Sequence, residues 1–428
     1  MSQTQEVLGI VCTGGPAPGL NGVIAAATIY AHQNDWKVIG FHEGYHYLSL
    51  GDLEVVKQNL IELSDDDVIP IFTSGGSILR TDRTDPTSNP VHVSNVFTML
   101  KHFKIKYLLA IGGNEKIRSS HFITQGVDPT EMQVIAVPKT IANDVPLPVG
   151  QSTFGYHTAR AFGTSLVRNL MVDAHSAPRW FIVETMGRHT GHLALSIAEA
   201  AGADLAIIPE DFGGKQIHLS DICDIFEGSI IKKLSEGKNY GVCVISEGLL
   251  NEMVREDQEQ LYSSQGIIKD AAGELSIDEA DLSRAIRNEL NERLTKRGIE
   301  VRVNPKKIGY ELRGAPPLSF DSIYAKELGV GAIEGFKEGH SNCVVIWENG
   351  KISFKSFRSL MDQTTGKIKP RKVDTTMPGY LIAKKYMYYI KRTDLQDTKI
   401  LQRLAKAANT STEQFLADFG HVPTLTIV

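Results

Sequence analysis

The chain has few of the residues that mark several large classes of protein. It has only 4 cysteines in 428 residues. They are Cys12, Cys223, Cys243 and Cys343, and no two of them form a C-x-x-C pair. This scatter argues against a disulfide framework or a zinc site and is typical of a reducing compartment. No apolar run is long enough to span a bilayer, and the polar amino terminus does not resemble a signal peptide. We therefore expect a cytoplasmic protein without a membrane partner.

An excess of positive charge is also missing. The sequence has 45 Lys and Arg against 50 Asp and Glu, which gives a formal net charge of -5. Binding to nucleic acid needs a basic surface, so we expect no nucleic-acid partner. Any affinity for phosphate must therefore come from local sites.

The overall composition, with 42% hydrophobic and 22% charged residues, is typical of a globular protein. At roughly 100–200 residues per domain, the length suggests two or three lobes. Short, continuous apolar runs alternate with amphipathic helical stretches such as 20–32 and 158–172. Continuous apolar runs are typical of parallel strands that are buried on both faces, so the predicted fold class is α/β with doubly wound sheets. The predicted strands are residues 7–12, 36–41, 107–111, 134–137, 180–184, 205–208 and 240–246.

Two Rossmann-like halves fit this pattern. We expect a first domain over residues 1–148, a second over 149–330, and C-terminal segments over 331–428 that complete the fold. The polar stretch 264–279 predicts an exposed loop, and residues 281–298 predict a helix. Residues 343–355 predict a β-hairpin with its turn at Glu348, Asn349 and Gly350.

Three glycine-rich segments are candidates for ligand binding, and the first and third directly follow predicted strands, where ligands bind in open α/β sheets. They are residues 13–21 (TGGPAPGLN), 74–83 (SGGSILRTDR) and 111–116 (IGGNEK). Glycine lets backbone N–H groups approach an anion, and the arginines of the second segment suit phosphate. The first segment alone could equally be a tight turn without a ligand, and the second alone is better explained as a solvated turn with surface arginines. In the third, Glu115 could simply favour a helix start, but this does not explain the glycine pair.

Two further segments carry reactive side chains. Residues 138–146 (PKTIANDVP) place a lysine, a threonine, an amide and a carboxylate between prolines, and residues 184–192 (ETMGRHTGH) follow another predicted strand. The His189-x-x-His192 pair in the latter has no further ligands nearby in the sequence, so a metal site there is disfavoured. The chain also contains Ser246-Glu247-Gly248 and residues 309–314 (GYELRG).

The order and spacing of these motifs resemble the phosphofructokinase family from about residue 7 to about residue 395. The motif at 138–144 stands where the family has TIDND, and 111–116 stands where it has a GGD loop. Residues 207–210 (IIPE) and Asp321 complete the resemblance. It implies two halves with an active-site cleft between them and transfer of phosphate to the 1-hydroxyl of fructose 6-phosphate.

The resemblance also implies roles for individual residues. The phosphoryl donor would face Gly14, Gly15, Arg83, Gly113 and Glu115. The reaction centre would contain Lys139, Thr140, Asp144 and Arg188. The sugar would contact Met186, Gly187, Arg188 and Glu247, and its 6-phosphate would contact Arg179, Tyr310 and Arg313, with Lys306 or Lys307. A neighbouring subunit supplies part of that phosphate pocket in the family, so the resemblance implies a homo-oligomer, a dimer or higher, or an assembly with a related subunit.

Two positions indicate which phosphoryl donor the chain would use. Glu115 and Lys139 stand where members that use ATP have glycines and members that use pyrophosphate have an acid and a lysine. Tyr310 also resembles the pyrophosphate type. The resemblance therefore implies pyrophosphate as the donor.

Three positions depart from the family pattern. Ala142 replaces the aspartate that accepts the proton of the attacking hydroxyl, Asn114 replaces an aspartate that helps to hold Mg²⁺, and Arg80 replaces a glycine. A positioned base contributes about 10²–10⁴-fold in rate, and an amide ligates Mg²⁺ without charge. The favoured hypothesis is a pseudoenzyme that keeps its sugar-phosphate site and has a regulatory or structural role. The alternatives are an active phosphotransferase with altered residues and an Asp→Ala variant of an active enzyme.

Overall fold

The computed structural model describes residues 5–126, 128–267 and 280–426. Its strands, in chain order, are β1 (Val7–Cys12), β2 (Lys37–Phe41), β3 (Leu60–Glu62), β4 (Tyr107–Gly112), β5 (Gln133–Pro138), β6 (Trp180–Thr185), β7 (Leu205–Ile207), β8 (Gly241–Ser246), β9 (Val303–Ile308), β10 (Cys343–Glu348) and β11 (Lys351–Ser356).

The α-helices lie mainly between these strands. In chain order they are Leu20–His32, His46–Leu50, Leu53–Gln58, Asp65–Val68, Pro90–His102, Asn114–Gln125, Tyr156–Ser176, His192–Ala201, Leu219–Leu234, Leu249–Glu252, Arg255–Ser264, Leu282–Lys296, Tyr310–Arg313, Ser319–Lys337, Phe357–Leu360, Pro378–Tyr386, Arg392–Gln396, Thr398–Ala407, Thr412–Phe419 and Val422–Leu425.

The chain forms two compact units, each made of two segments. Unit 1 contains Met1–Ala159 and Tyr310–Arg371, and unit 2 contains Arg160–Gly309 and Lys372–Val428. These divisions differ from the boundaries at 148 and 330 that the sequence suggests. Pairing explains the difference: β10 joins β5 with Cys343 opposite Ile135, so the segment after residue 309 completes the first sheet.

Unit 1 is built on a seven-stranded sheet with the order β11-β10-β5-β4-β1-β2-β3. Its five central strands are parallel, and β3 and β11 add antiparallel edges. The helices Leu20–His32 and Ser319–Lys337 share one core cluster with β1 and β4. The parallel sheet that the continuous apolar runs predict is therefore confirmed here.

Unit 2 is built on a four-stranded parallel sheet with the order β7-β8-β6-β9. Every residue of β6 and β8 is buried, as the prediction of two-sided burial requires. The edge strand β9 was not predicted, because its sequence VNPKKI alternates poorly and contains two lysines.

Most other predicted elements match closely. The helix Leu20–His32 has the predicted bounds, and the helix Leu282–Lys296 lies within the predicted 281–298. The hairpin turns at Asn349 and Gly350, which both have positive φ, as a two-residue type I′ turn requires. The predicted loop at 264–279 falls largely outside the described residues. Across the described ranges, no helix combines the length and the apolar character needed to cross a bilayer.

Candidate active site

The first three glycine-rich segments meet at the carboxyl ends of β1 and β4 in unit 1. The Thr13 N–H donates to the Ile111 carbonyl at 2.9 Å, and the Gly14 N–H donates to the Asp82 carbonyl at 2.8 Å. Ligands bind at this edge of open α/β sheets. The structure therefore brings together the three loops that the sequence assigns to the phosphoryl donor.

Asn21 holds the second loop against the first. Its Nδ2 donates to Ser74 Oγ at 2.9 Å and to the Gly75 carbonyl at 3.1 Å, and its Oδ1 accepts from the Ile78 N–H at 2.8 Å. All the polar groups of the amide are used on one loop. The last residue of the GGPAPGLN motif is therefore a structural clamp.

Lys139 is the most perturbed cation of the donor region. Only 4% of the residue is exposed, its Nζ donates to the Gly15 carbonyl, and a Cβ on Gly14 would lie 3.5 Å from Nζ. The pKa of Lys139 is lowered to about 8, chiefly by burial; Cys12 opposes this shift and the nearby charge of Arg313 adds to it. An anion placed here would raise this pKa and so favour the charged ammonium.

Arg313 lies against the same loop. Its Cζ is 3.0 Å from the position of a Cβ on Gly15, which only glycine leaves free. Its guanidinium also lies 5.4 Å from the ring centroid of Tyr310, which is 68% exposed. The structure thus groups Arg313 and Tyr310 with the donor loops of unit 1, although the resemblance assigns both to the sugar 6-phosphate.

Arg83, Glu115 and Arg80 border this region in different ways. The buried ammonium of Lys116 donates to the Arg83 carbonyl at 2.8 Å and so fixes the backbone that carries Arg83. Glu115 is exposed in the first turn of the helix Asn114–Gln125. Arg80 Nη1 lies 3.3 Å from Glu43 Oε1, and 65% of the Arg80 side chain is exposed.

The loop at 138–146 is ordered by its own side chains. Thr140 Oγ1 accepts from the Ala142 N–H at 3.0 Å, and the Thr140 carbonyl accepts from Thr153 Oγ1 at 2.7 Å. Asn143 has a φ of 57° and accepts from the Thr153 N–H at 3.1 Å. Thr140 and Asn143 therefore have structural roles in this loop, whatever they contact in a ligand.

Burial alternates along the loop. Ile141, Asn143 and Val145 are buried, whereas Ala142 and Asp144 are half-buried. Ala142 thus occupies a partly open position and carries only a methyl group. Asp144 is the nearest carboxylate in the sequence, and its position is also partly exposed.

Arg371 contacts the loop at 138–146, although no sequence pattern pointed to it. Its Nη2 donates to the Asn143 carbonyl at 3.0 Å, and its Nη1 donates to the Gln151 carbonyl at 2.7 Å. Its backbone N–H donates to the Asp144 carbonyl at 2.8 Å. No motif marks such a residue, because it acts on backbone carbonyls from a segment more than 200 positions away.

Asn114 faces the same loop from the third glycine segment. Its Nδ2 donates to the Asp144 carbonyl at 3.1 Å, which fixes the orientation of the amide. Its Oδ1 is buried and accepts no hydrogen bond among the described residues. An oxygen without a donor suits Mg²⁺, which usually takes few protein ligands and completes its shell with water and substrate phosphate. Asn114 therefore fits a metal contact, although it brings no charge.

In unit 2, the loop after β6 is closed by a buried carboxylate. Glu247 is only 5% exposed and accepts from the Gly187 N–H at 2.9 Å. Gly187 has a φ of 147°, and a Cβ there would lie 2.5 Å from the Thr190 carbonyl oxygen. The structure therefore brings Met186, Gly187 and Glu247 together, as the resemblance implies, while the side chain of Arg188 is exposed.

Glu210 of the IIPE motif supports the other end of that loop. Its carboxylate accepts from Thr190 Oγ1 at 3.0 Å and from the Gly191 N–H at 3.0 Å. It also accepts from the Val373 N–H at 2.9 Å. Burial raises the pKa of Glu210. This carboxylate is a structural support for the backbone.

The structure separates Arg179 from the other sugar-side residues of unit 2. Arg179 precedes β6, whereas Met186 follows it, so the six residues of the strand lie between them. At about 3.3 Å per residue, this puts roughly 20 Å between the two ends. Lys307 pairs with the buried Glu184 at 3.4 Å, and Lys306 is exposed. Within the described ranges, no cluster of three His, Cys, Asp or Glu side chains suits a metal ion.

Comparisons with known proteins agree with the ordered motifs. A sequence model of the family described as Phosphofructokinase matches residues 7–336. A pyrophosphate–fructose 6-phosphate 1-phosphotransferase of Naegleria fowleri is 40% identical over 422 residues and covers 97% of this chain and 95% of its own. The enzyme of the same name from Thermotoga maritima is 39% identical over 428 residues, with 98% and 99% coverage.

Solved structures show the same fold. The pyrophosphate-dependent phosphofructokinase of Nitrosospira multiformis superposes with a TM-score of 0.65 at 16% identity and covers 95% of this chain and 92% of its own. The corresponding structure from Marinobacter aquaeolei gives a TM-score of 0.64 with the same identity and coverage. By sequence and by fold, this chain belongs to the phosphofructokinase family, in its pyrophosphate type.

Proposed function

We propose that this chain is a pyrophosphate-type phosphofructokinase with impaired phosphoryl transfer, which keeps a site for fructose 6-phosphate and has a regulatory or structural role. One observation carries the proposal. The loop at 138–146 is ordered by hydrogen bonds from Thr140, Asn143 and Arg371, and at its partly open position it presents the methyl group of Ala142. The scaffold of the reaction centre is in place, but the base is not.

The donor loops of unit 1 still carry the cations needed to bind a phosphate. Lys139 and Arg313 both lie against Gly15, and the Arg83 backbone is fixed by Lys116. These cations would bind and orient pyrophosphate. When Mg²⁺ is bound, it supplies charge neutralisation for the phosphates, and Asn114 Oδ1 is the protein oxygen that would contact it.

The acceptor side would use the loops of unit 2. Met186, Gly187, Arg188 and Glu247 would hold the sugar, and Arg179 with Lys306 would serve the 6-phosphate. Because the length of β6 separates Arg179 from Met186, Arg179 would serve the sugar of a second copy of the chain. This arrangement requires a dimer or a higher oligomer.

The missing base defines the chemical defect. The 1-hydroxyl of the sugar must lose its proton as it attacks the phosphoryl group, and a methyl group cannot accept that proton. A positioned base is worth about 10²–10⁴-fold in rate. Binding without transfer is the behaviour expected of this site.

A second candidate function is slow but real phosphotransfer with Asp144 as the base. Asp144, like Ala142, lies at a partly exposed position of this loop. A carboxylate two residues further along the loop could reach a differently placed acceptor. In that case the acceptor hydroxyl would differ from the one that the family uses.

The substitution Ala142→Asp separates these functions. It should raise pyrophosphate-dependent phosphorylation of fructose 6-phosphate by about 10²–10⁴-fold. Ala142→Asn is the matched control, because it has the same shape without a basic carboxylate and should give no gain. The proposal of impairment is wrong if the unchanged chain transfers phosphate, Ala142→Asp gives no gain, and Asp144→Asn with Ala142 retained abolishes the transfer. In that case Asp144 is the base.

A further inference from the structure

The carbonyl of Asp144 is a meeting point of two distant segments. It accepts from Asn114 Nδ2 at 3.1 Å and from the Arg371 N–H at 2.8 Å. The Arg371 guanidinium adds bonds to the Asn143 carbonyl, at 3.2 Å from Nε and 3.0 Å from Nη2, and it also contacts Asn143 Oδ1. The loop that carries Ala142 is thus held from both sides by side chains outside its own motif.

The amide at position 114 does something that a carboxylate cannot do. An aspartate has only acceptor oxygens when ionised. In the place of Asn114 it would set a negative oxygen about 3 Å from the Asp144 carbonyl oxygen, where the structure has a donor. The Asn114 amide has two different ends: one bonds the loop, and the other leaves Oδ1 without a donor.

Arg371 is also committed to the loop. Its guanidinium donates hydrogen bonds to the carbonyls of Asn143, Leu147 and Gln151. Burial lowers the pKa of this group. Backbone carbonyls carry no net charge, so the cation is held for geometry. Five donors in a planar fork suit this task, and a lysine has no such fork.

We propose that Asn114 and Arg371 are positioning residues, which together set the backbone of residues 140–144, and that Asn114 serves this chain through its N–H donor. The Nδ2 donor gives Asn114 a role that an aspartate could not take over, beside any contact of its Oδ1 with a metal. The proposal rests on the proposed function only in taking this loop as the reaction centre.

Hydrogen exchange of the free protein, followed by mass spectrometry, tests the role of Asn114 without any turnover. In Asn114→Asp, peptides that cover residues 140–147 and Arg371 should exchange roughly threefold to tenfold faster, the effect of losing about one intramolecular hydrogen bond. Asn89→Asp is the matched control. It adds the same charge at a helix start, and a carboxylate can still accept from the Val91 N–H, which lies 2.9 Å from Asn89 Oδ1.

The opposite result is equally clear. A remnant of a metal ligand would regain function in Asn114→Asp, with unchanged exchange in residues 140–147 and tighter Mg²⁺ binding by calorimetry. That outcome overturns the proposal. If Asn114→Asp does not fold, Asn114→Ser carries the same exchange test, since its short side chain cannot reach the Asp144 carbonyl.

Arg371 gives a second test. Arg371→Lys and Arg371→Met should both speed exchange in residues 140–147, and millimolar guanidinium should restore protection in Arg371→Met. Arg255→Met is the control, because Arg255 is an exposed arginine, 77% accessible in its side chain, that pairs with Glu259 of its own helix. Full protection in Arg371→Lys would contradict the need for a planar fork.

These readouts separate the two proposals. Faster loop exchange in Asn114→Asp together with high pyrophosphate turnover in the unchanged chain would retain the positioning roles and reject the impairment. Unchanged loop exchange in Asn114→Asp together with no turnover in the unchanged chain would retain the impairment and reject the positioning role of Asn114.

Discussion

The loops after β4 and β5 in unit 1 and the loop after β6 in unit 2 differ in whether their backbone depends on an acid. In unit 2, Glu247 and Glu210 are buried and accept backbone N–H groups, so the fold itself depends on them. In unit 1, Ala142 and Asn114 stand where the resemblance implies acids, and the loop is held by hydrogen bonds from Asn114, Thr140 and Arg371 without a carboxylate. The acids of unit 2 therefore serve the backbone itself, whatever chemistry the site performs.

This comparison changes what the sugar-side motifs demonstrate. The fold alone accounts for Glu247 and Gly187: the Gly187 N–H needs the Glu247 carboxylate as its acceptor, and the Thr190 carbonyl leaves no space for a side chain at Gly187. Their presence is compatible with a sugar site, but it does not establish one. Binding of fructose 6-phosphate must therefore be measured.

The largest expected effect is on the support of the unit 2 loop. Glu210→Ala should lower the free energy of unfolding by about 3 kcal/mol, because it leaves the buried N–H groups of Gly191 and Val373 and the Thr190 hydroxyl without an acceptor. Urea denaturation measures this loss. Glu259→Ala is the control, since its exposed pair with Arg255 should contribute less than about 0.5 kcal/mol. Equal effects would break the contrast between the two loops.

A slightly smaller loss is expected for Gly187→Ala, at about 2 kcal/mol. The substitution combines a φ of 147° with a Cβ at 2.5 Å from the Thr190 carbonyl oxygen. Gly150→Ala is the matched control: Gly150 has a φ of 84°, but a Cβ there meets nothing within 4 Å. Thermal denaturation of both variants separates the clash from the backbone strain. A loss that is no larger in Gly187→Ala would mean that the loop can move.

The smallest effect concerns the donor side and pH. Lys139 has a pKa of about 8 because of burial, so its charge, and with it the affinity for an anion, falls as the pH rises through about 8. Sulfate is a suitable probe because its own charge stays constant, and its affinity should drop by up to about tenfold per pH unit. Lys139→Met should bind sulfate weakly and without this step. The same step in Lys139→Met would assign it to another group.

The same lowered pKa predicts how stability responds to alkali. The folded chain releases the Lys139 proton near pH 8, whereas the unfolded chain keeps it to about 10.5, so the unfolded state binds more protons in this range. The contribution of Lys139 to the free energy of unfolding therefore rises with pH between these values. A comparison of the unchanged chain with Lys139→Met isolates this contribution.

Much of the fold could be predicted from the sequence, because buried parallel strands and tight turns have local signatures. The helix Leu20–His32 and the turn at Asn349 and Gly350 are examples. The strand β9 could not be predicted, since it lies at the edge of its sheet and its lysines suit an exposed side. The return of residues 310–371 to unit 1 depends on long-range strand pairing, which no local pattern encodes.

For the candidate site, the sequence indicated the loops but not the contacts within them. Motif order placed Gly14, Lys139 and Ala142 in one region, and the structure groups their loops in unit 1. Arg371 was missed, because a guanidinium that binds carbonyls leaves no spacing signal. Asn114 was interpreted only as a weakened metal ligand, and its bond to the Asp144 carbonyl appears only in three dimensions.

The most direct test of impaired transfer follows the phosphorus atoms of pyrophosphate and fructose 6-phosphate in the presence of the unchanged chain. Phosphorus NMR of the protein with Mg²⁺, pyrophosphate and fructose 6-phosphate reports transfer, and a melting experiment with fructose 6-phosphate alone reports binding. We expect a raised melting temperature and transfer at least about 10²-fold slower than ordinary enzyme turnover. Formation of fructose 1,6-bisphosphate at about 1–10³ per second, the usual range for enzymes, would contradict this expectation.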